Sequence, residues 1–224
     1  MQIEAVLLSA PWRVGTSLVA LPLLGYALAT APWRAWLGRE DRQHVWLGTI
    51  ALLVLLWSMR AGITPGLSFQ FLLAATLTLM HGWRLALVGF GAVLAAQCVL
   101  EGGFAPWTAW GANFICYAIV PTATIAALHA LVERRLPHNY FIFFFVTVFA
   151  GSMLAFNLAG LARVALLSAA GTLAWEQLGG EYFIYLPMVS FGEAFMNGIV
   201  MAGAVVLRPE WVATFDERLY FTRR

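Results

Sequence analysis

The chain has 224 residues, 62% hydrophobic and 11% charged, with a formal net charge of +2 and a mean hydropathy of +0.80. Soluble domains run nearer half apolar and a quarter charged, so this composition excludes an ordinary water-soluble globule and calls for a membrane domain. All 13 basic residues are arginines scattered among the ends of apolar runs, which excludes a contiguous patch for nucleic acid.

Apolar stretches interrupted by arginine, glycine or proline predict an all-α, polytopic bundle of about seven transmembrane helices, at residues 14–31, 45–60, 67–80, 85–100, 107–131, 140–160 and 182–207. In the first, Gly25 with Ala29 and Ala27 with Ala31 put small residues at helical spacing. That spacing suits close packing within the monomer better than docking of a partner. The second, third and fourth are short for a hydrocarbon core of about 30 Å, so they need shielding by neighbours or continuation through their glycine-rich ends. Residues 161–181, with Arg163, Glu176 and Glu181, read as the end of the sixth helix and then an interfacial loop. The chain therefore divides into a transmembrane domain, 1–207, and a short cytoplasmic tail, 208–224. The N-terminus has no basic n-region and carries Glu4 before the first run, so a cleaved signal peptide is not expected and Met1 is expected to remain the N-terminus.

The arginines set the expected orientation. With the N-terminus outside and the C-terminus cytoplasmic, the inner side carries Arg34, Arg39, Arg42, Arg84, Arg134, Arg135, Arg208, Arg218, Arg223 and Arg224. The outer side keeps Arg13, Arg60 and Arg163, together with Glu101, Glu176 and Glu181. This is a strong positive-inside bias. Trp12, Trp33, Trp46, Trp83, Trp107, Trp110 and Trp211 fall near predicted span ends, as an aromatic belt requires.

Polar groups inside apolar spans cost a few kcal/mol each unless satisfied, and so mark candidate sites. Gln70 lies at the outer entrance of the third segment and Asn113 in the outer half of the fifth. Each amide either lines a polar cavity or makes a helix-to-helix hydrogen bond. Glu193 and Asn197, four residues apart on one face of the seventh, offer either a site or an internal clamp on the bundle. Cys98 and Cys116 lack CxxC spacing and read as core packing, with soft ligation of copper as the alternative. His44, His81, His129 and His138 all map to the inner side, away from an outward-facing site. No HExxH, Gly-x-Ser-x-Gly or Walker-type motif is present, and Ser68 has no histidine on its side of the membrane, so no catalysis is expected.

The order Pro65-Gly-Leu-Ser-Phe-Gln-Phe-Leu-Leu73, Gly111-Ala-Asn113 and Gly192-Glu-Ala194 resembles the cobalt/nickel permease family. These are the CbiM-type and NikM-type substrate-capture subunits of energy-coupling-factor transporters. The tail Arg208–Asp216 is similar to that of the shorter proteobacterial branch. The resemblance implies a multi-pass subunit of the bacterial inner membrane, surrounded by lipid and energised by separate ATPase and transmembrane coupling subunits. Its substrate would be a divalent metal, with no covalently bound cofactor. In that family the ligands are the terminal amino group, a histidine after the first methionine and a histidine in the third-segment motif. The matching positions here are Met1, Gln2 and Gln70, so both histidines have become glutamine. A neutral amide oxygen binds Ni²⁺ or Co²⁺ less well than imidazole does. Met1, Gln2, Gln70, Asn113 and Glu193 are the expected metal-site residues, with Glu4 as a further oxygen donor. The alternatives are capture of a different metal or solute, or a non-transporting interaction or assembly protein that keeps the fold.

Overall fold

The computed structural model describes residues 3–59, 61–64, 67–172, 185–215 and 220, with the backbone alone for 61–64 and 67–68. Met1, Gln2 and the segment with Glu176 and Glu181 lie outside the described residues. The first element among the described residues is a short 3₁₀ turn, Ala5–Leu7, and the chain enters α1, Ala10–Thr30, through Pro11 in its first turn. Proline is tolerated there because the first helical N–H groups have no intrahelical partner. A one-turn helix, α2 (Trp33–Leu37), leads to α3 (Glu40–Ser58), whose first turn places Glu40 and Asp41 at the positive end of the helix dipole.

The expected third span is corrected at this point. Residues 61–69 form a small antiparallel hairpin, β1 (Ala61–Thr64) with β2 (Leu67–Phe69), pairing Ala61 with Phe69 and Gly62 with Ser68. Residues 70–73 form neither helix nor strand, and only Ala74–His81 is helical, as α4. Eight residues rise about 12 Å, less than half of a hydrocarbon core. Every residue of α4 is buried, because it is enclosed by the later helices Trp83–Glu101, Val120–Arg135, Gly151–Ala169 and Leu186–Leu207. A run that is apolar on all sides signals burial without fixing length.

Gly82, at φ +79°, lets α4 turn directly into α5, Trp83–Glu101. Helix α6 (Ala105–Phe114) continues through a π-helical stretch, Ile115–Ile119, into α7 (Val120–Arg135). Pro121 lacks an N–H and its ring opposes the preceding turn, which accounts for the widened ladder before it. The next long helix runs from α8 (Tyr140–Ile142) through the π-helical Phe143–Ala150 into α9, Gly151–Ala169. The last is α10, Leu186–Leu207, followed by a 3₁₀ turn, Pro209–Trp211.

Among the described residues, five helices are long and apolar enough to cross a membrane, not seven: Ala10–Thr30, Trp83–Glu101, Trp110–Arg135, Tyr140–Ala169 and Leu186–Leu207. Helix α3 has 19 residues, but Glu40, Asp41, Arg42, Gln43 and His44 occupy its start and keep it out of this set. The core lies where α1 meets α5 and α6, α3 meets α5, and α9 meets α7 and α10. Three further expectations change. Helix α9 continues nine residues past the expected end at 160, and Arg163 is buried inside it, so Arg163 is no loop charge. Trp46 is a core residue whose indole N–H donates to the Leu85 carbonyl at 3.1 Å, not a member of an interfacial belt. The small residues of α1 separate into two faces: Ala27 and Ala31 are buried, whereas Gly25 meets open space.

Candidate functional site

The deepest polar groups gather at the start of α4. Leu73 precedes that helix at φ 49°, a left-handed conformation that costs a leucine roughly 1–2 kcal/mol, so something must hold it there. The first amides of α4 have no intrahelical acceptor and no water to turn to. Helix α10 supplies the acceptors. The Leu72 N–H donates to Glu193 Oε2 at 2.8 Å, and the Thr76 N–H and hydroxyl both donate to Asn197 Oδ1 at 2.8 Å. The Asn197 amide donates to Glu193 Oε1 at 2.8 Å and to the Glu193 carbonyl at 2.9 Å, fixing the carboxylate in place. The amides of Leu73 and Ala74 also interact with that carboxylate, which therefore occupies the positive end of the α4 dipole. Gly192 makes room for Phe71, whose ring would lie 3.4 Å from an added Cβ.

The other end of α4 is held by the chain that follows α10. Ala213 N–H donates to the Met80 carbonyl at 3.0 Å, and the Thr214 N–H and hydroxyl donate to the Leu79 carbonyl at 3.2 and 2.8 Å. Val212 and Phe215 are buried beside these bonds. Residues 212–215, expected as part of a cytoplasmic tail, thus pack into the bundle and cap the last carbonyls of α4.

A second cluster holds the N-terminal segment. Asn113 Oδ1 accepts from the Ile3 N–H at 2.6 Å, and its amide donates to the Ile3 carbonyl at 3.0 Å and to the Ala109 carbonyl at 3.2 Å. One side chain thereby satisfies both backbone groups of a residue that is 2% exposed. Gly111, two residues earlier, explains how α1 fits alongside. A Cβ there would meet the Ser17 backbone at 2.6 Å, so only glycine permits the approach. Ile3, Glu4, Cys98, Glu101 and Asn113 line a cavity of about 250 Å³.

Asn113 and Glu193 therefore serve two different segments, the chain start and the start of α4. Gln70 is buried, two residues ahead of the Leu72 amide that Glu193 holds. Met1 and Gln2 fall outside the described residues. Cys98 and Cys116 are free and buried; Cys98 lines the cavity beside Glu4, and Cys116 is enclosed in the π-helical stretch. Among the described residues, no three His, Cys, Asp or Glu side chains form a group that could hold a metal ion. Sequence reasoning missed Arg163 and Gln97. Arg163 is signalled by an arginine amid an unbroken helical run. Gln97 donates to the Val54 carbonyl at 2.8 Å and to Ser58 Oγ at 3.2 Å, and ties α5 to α3.

Irregular backbone enclosed by apolar helices and held by their polar side chains is tolerated in a membrane where it is buried in protein or lines a solute cavity. That arrangement defines a multi-pass membrane protein of the transporter class. The chain belongs to the CbiM family, described as the cobalt uptake substrate-specific transmembrane region, whose model matches residues 2–211. It is accordingly a membrane component of cobalt uptake and not an enzyme. The family implies cobalt as the transported substrate and an energy-coupling-factor transporter as the assembly. A search of curated proteins returns no significant match.

Proposed function

We propose that this chain is the inner-membrane capture subunit for a divalent transition metal, with the amino group of Met1 and the amides of Gln2 and Gln70 as ligands. Asn113 and Glu193 complete the site by fixing the two segments that carry those ligands. The observation that carries the reading is the double hydrogen bond between Asn113 and the buried Ile3 backbone, which anchors Ile3 inside the bundle. The N-terminus lies outside and the C-terminus in the cytoplasm, so metal enters from the outer face. Separate ATPase and coupling subunits then drive release. With two glutamines in place of imidazoles the site holds Co²⁺ or Ni²⁺ weakly and leans toward harder ions.

The test is metal accumulation in cells that lack other importers and express the complete transporter. Gln70→Ala should abolish accumulation of the transported metal while the protein still reaches the membrane. Unchanged accumulation of every metal would reject the assignment. The paired glutamines also favour a second reading, a non-transporting interaction or assembly protein, under which the unsubstituted chain itself supports no accumulation.

A further inference from the structure

A cavity of about 980 Å³ opens between α3 and α10, with α4 as its floor. Its walls are chiefly apolar, among them Val45, Leu52, Met80, Val200 and Leu207, while Asp41, His44, Arg208 and Trp211 line one end. Gly48 on α3 and Gly203 on α10 both face it, and an added Cβ at either would have no atom within 4 Å. The groove exists because both walls lack side chains at these points.

Three features identify the occupant. First, α10 is long and apolar enough to cross a membrane, so the open side of the groove faces hydrocarbon. Second, the groove follows α10 from Val200 to Arg208 and α3 from Leu52 to Asp41. At 1.5 Å per residue these stretches span about 12 and 16 Å, close to one leaflet of a core of about 30 Å. A partner helix would need the full thickness, whereas an acyl chain with a polar head needs one leaflet. Third, the charges at the rim balance. Arg39, Arg42 and Arg208 stand with Glu40, Asp41 and Glu210; Arg208 Nη1 lies 3.5 Å from Glu210 Oε1, and Arg42 Nη2 donates to the Glu210 carbonyl at 3.4 Å. Anionic-lipid sites use clusters of roughly 4–8 basic residues, whereas the described residues of this rim pair each arginine with an acid. One acid and one arginine at the mouth match a head that carries both signs.

We propose that this groove binds one zwitterionic glycerophospholipid, with an acyl chain along Gly48 and Gly203, the phosphate at Arg208 and the ammonium at Asp41. Leu73 and Thr76 line its floor, so the groove backs onto the start of α4, but lipid binding there does not depend on metal capture. The experiment is native mass spectrometry of the full chain in mild detergent, with phosphatidylethanolamine and phosphatidylglycerol in equal amounts. One phosphatidylethanolamine per chain should be retained, by about fivefold over phosphatidylglycerol, as one like-signed contact near a surface would give. Gly48→Leu with Gly203→Leu fills open space, so helicity should persist while lipid retention falls about tenfold or more. Asp41→Asn should erase the selectivity between the two lipids. As a check on the unmodified fold, phosphatidylethanolamine with brominated chains should quench emission lost in Trp211→Phe. Preference for phosphatidylglycerol, full retention by the filled variant, or no quenching of Trp211 would each overturn the proposal.

Discussion

Replacing Asn197 with leucine, similar in size but unable to hydrogen bond, removes the acceptor for the Thr76 N–H and hydroxyl and the donor to Glu193 Oε1. Hydrogen bonds between membrane helices are worth about 0.6 kcal/mol on average and up to about 1.7, so the two from Thr76 predict a loss of roughly 1–3 kcal/mol. The upper part of that range is expected because the Thr76 amide would remain buried without a partner. Reversible unfolding in mixed micelles titrated with denaturing detergent measures the difference. Thr76→Val, which removes only the hydroxyl bond, should cost about 0.6–1.7 kcal/mol by the same measure. An Asn197→Leu protein within about 0.5 kcal/mol of the original would refute the claim that α10 holds the start of α4.

Gly111→Ala forces a methyl onto the Ser17 backbone and should destabilise by about 1–3 kcal/mol in thermal unfolding. Gly25→Ala enters open space on the same helix pair and should be neutral or stabilising by up to about 1 kcal/mol. Thr214→Val removes one bond to the Leu79 carbonyl; it should lose about 1 kcal/mol and speed amide hydrogen exchange at residues 79–82. Gln2→His combined with Gln70→His should tighten Co²⁺ and Ni²⁺ binding at least about tenfold in equilibrium dialysis, since imidazole is the better donor for both ions.

The five long helices are legible because each must be apolar along its length, and their ends carry proline, glycine or charge. The segment around residues 67–80 misleads for a physical reason. Enclosure on all sides produces the same composition as a lipid-facing span, and only length separates them. Arg163 misleads in the opposite sense, since an arginine looks like a helix end yet is buried within α9. Within the candidate site, the shared face of Glu193 and Asn197 follows from four-residue spacing, and the structure joins them directly. Their partners, Leu72 and Thr76, lie 121 residues away, and no local pattern encodes that pairing. The glycine of Gly111-Ala-Asn113 is equally opaque until α1 is seen to pass over it. The capping of α4 by Ala213 and Thr214 was hidden because residues 208–224 read as a tail.

The central claim is that the chain start and Gln70 together hold a divalent metal. Its most direct test is the stoichiometry of Co²⁺ bound to the purified chain before and after blocking of the N-terminal amino group. The account predicts one ion per chain before blocking, and its loss both after blocking and in Gln70→Ala. Retention of the ion with a blocked amino group and without Gln70 would contradict it.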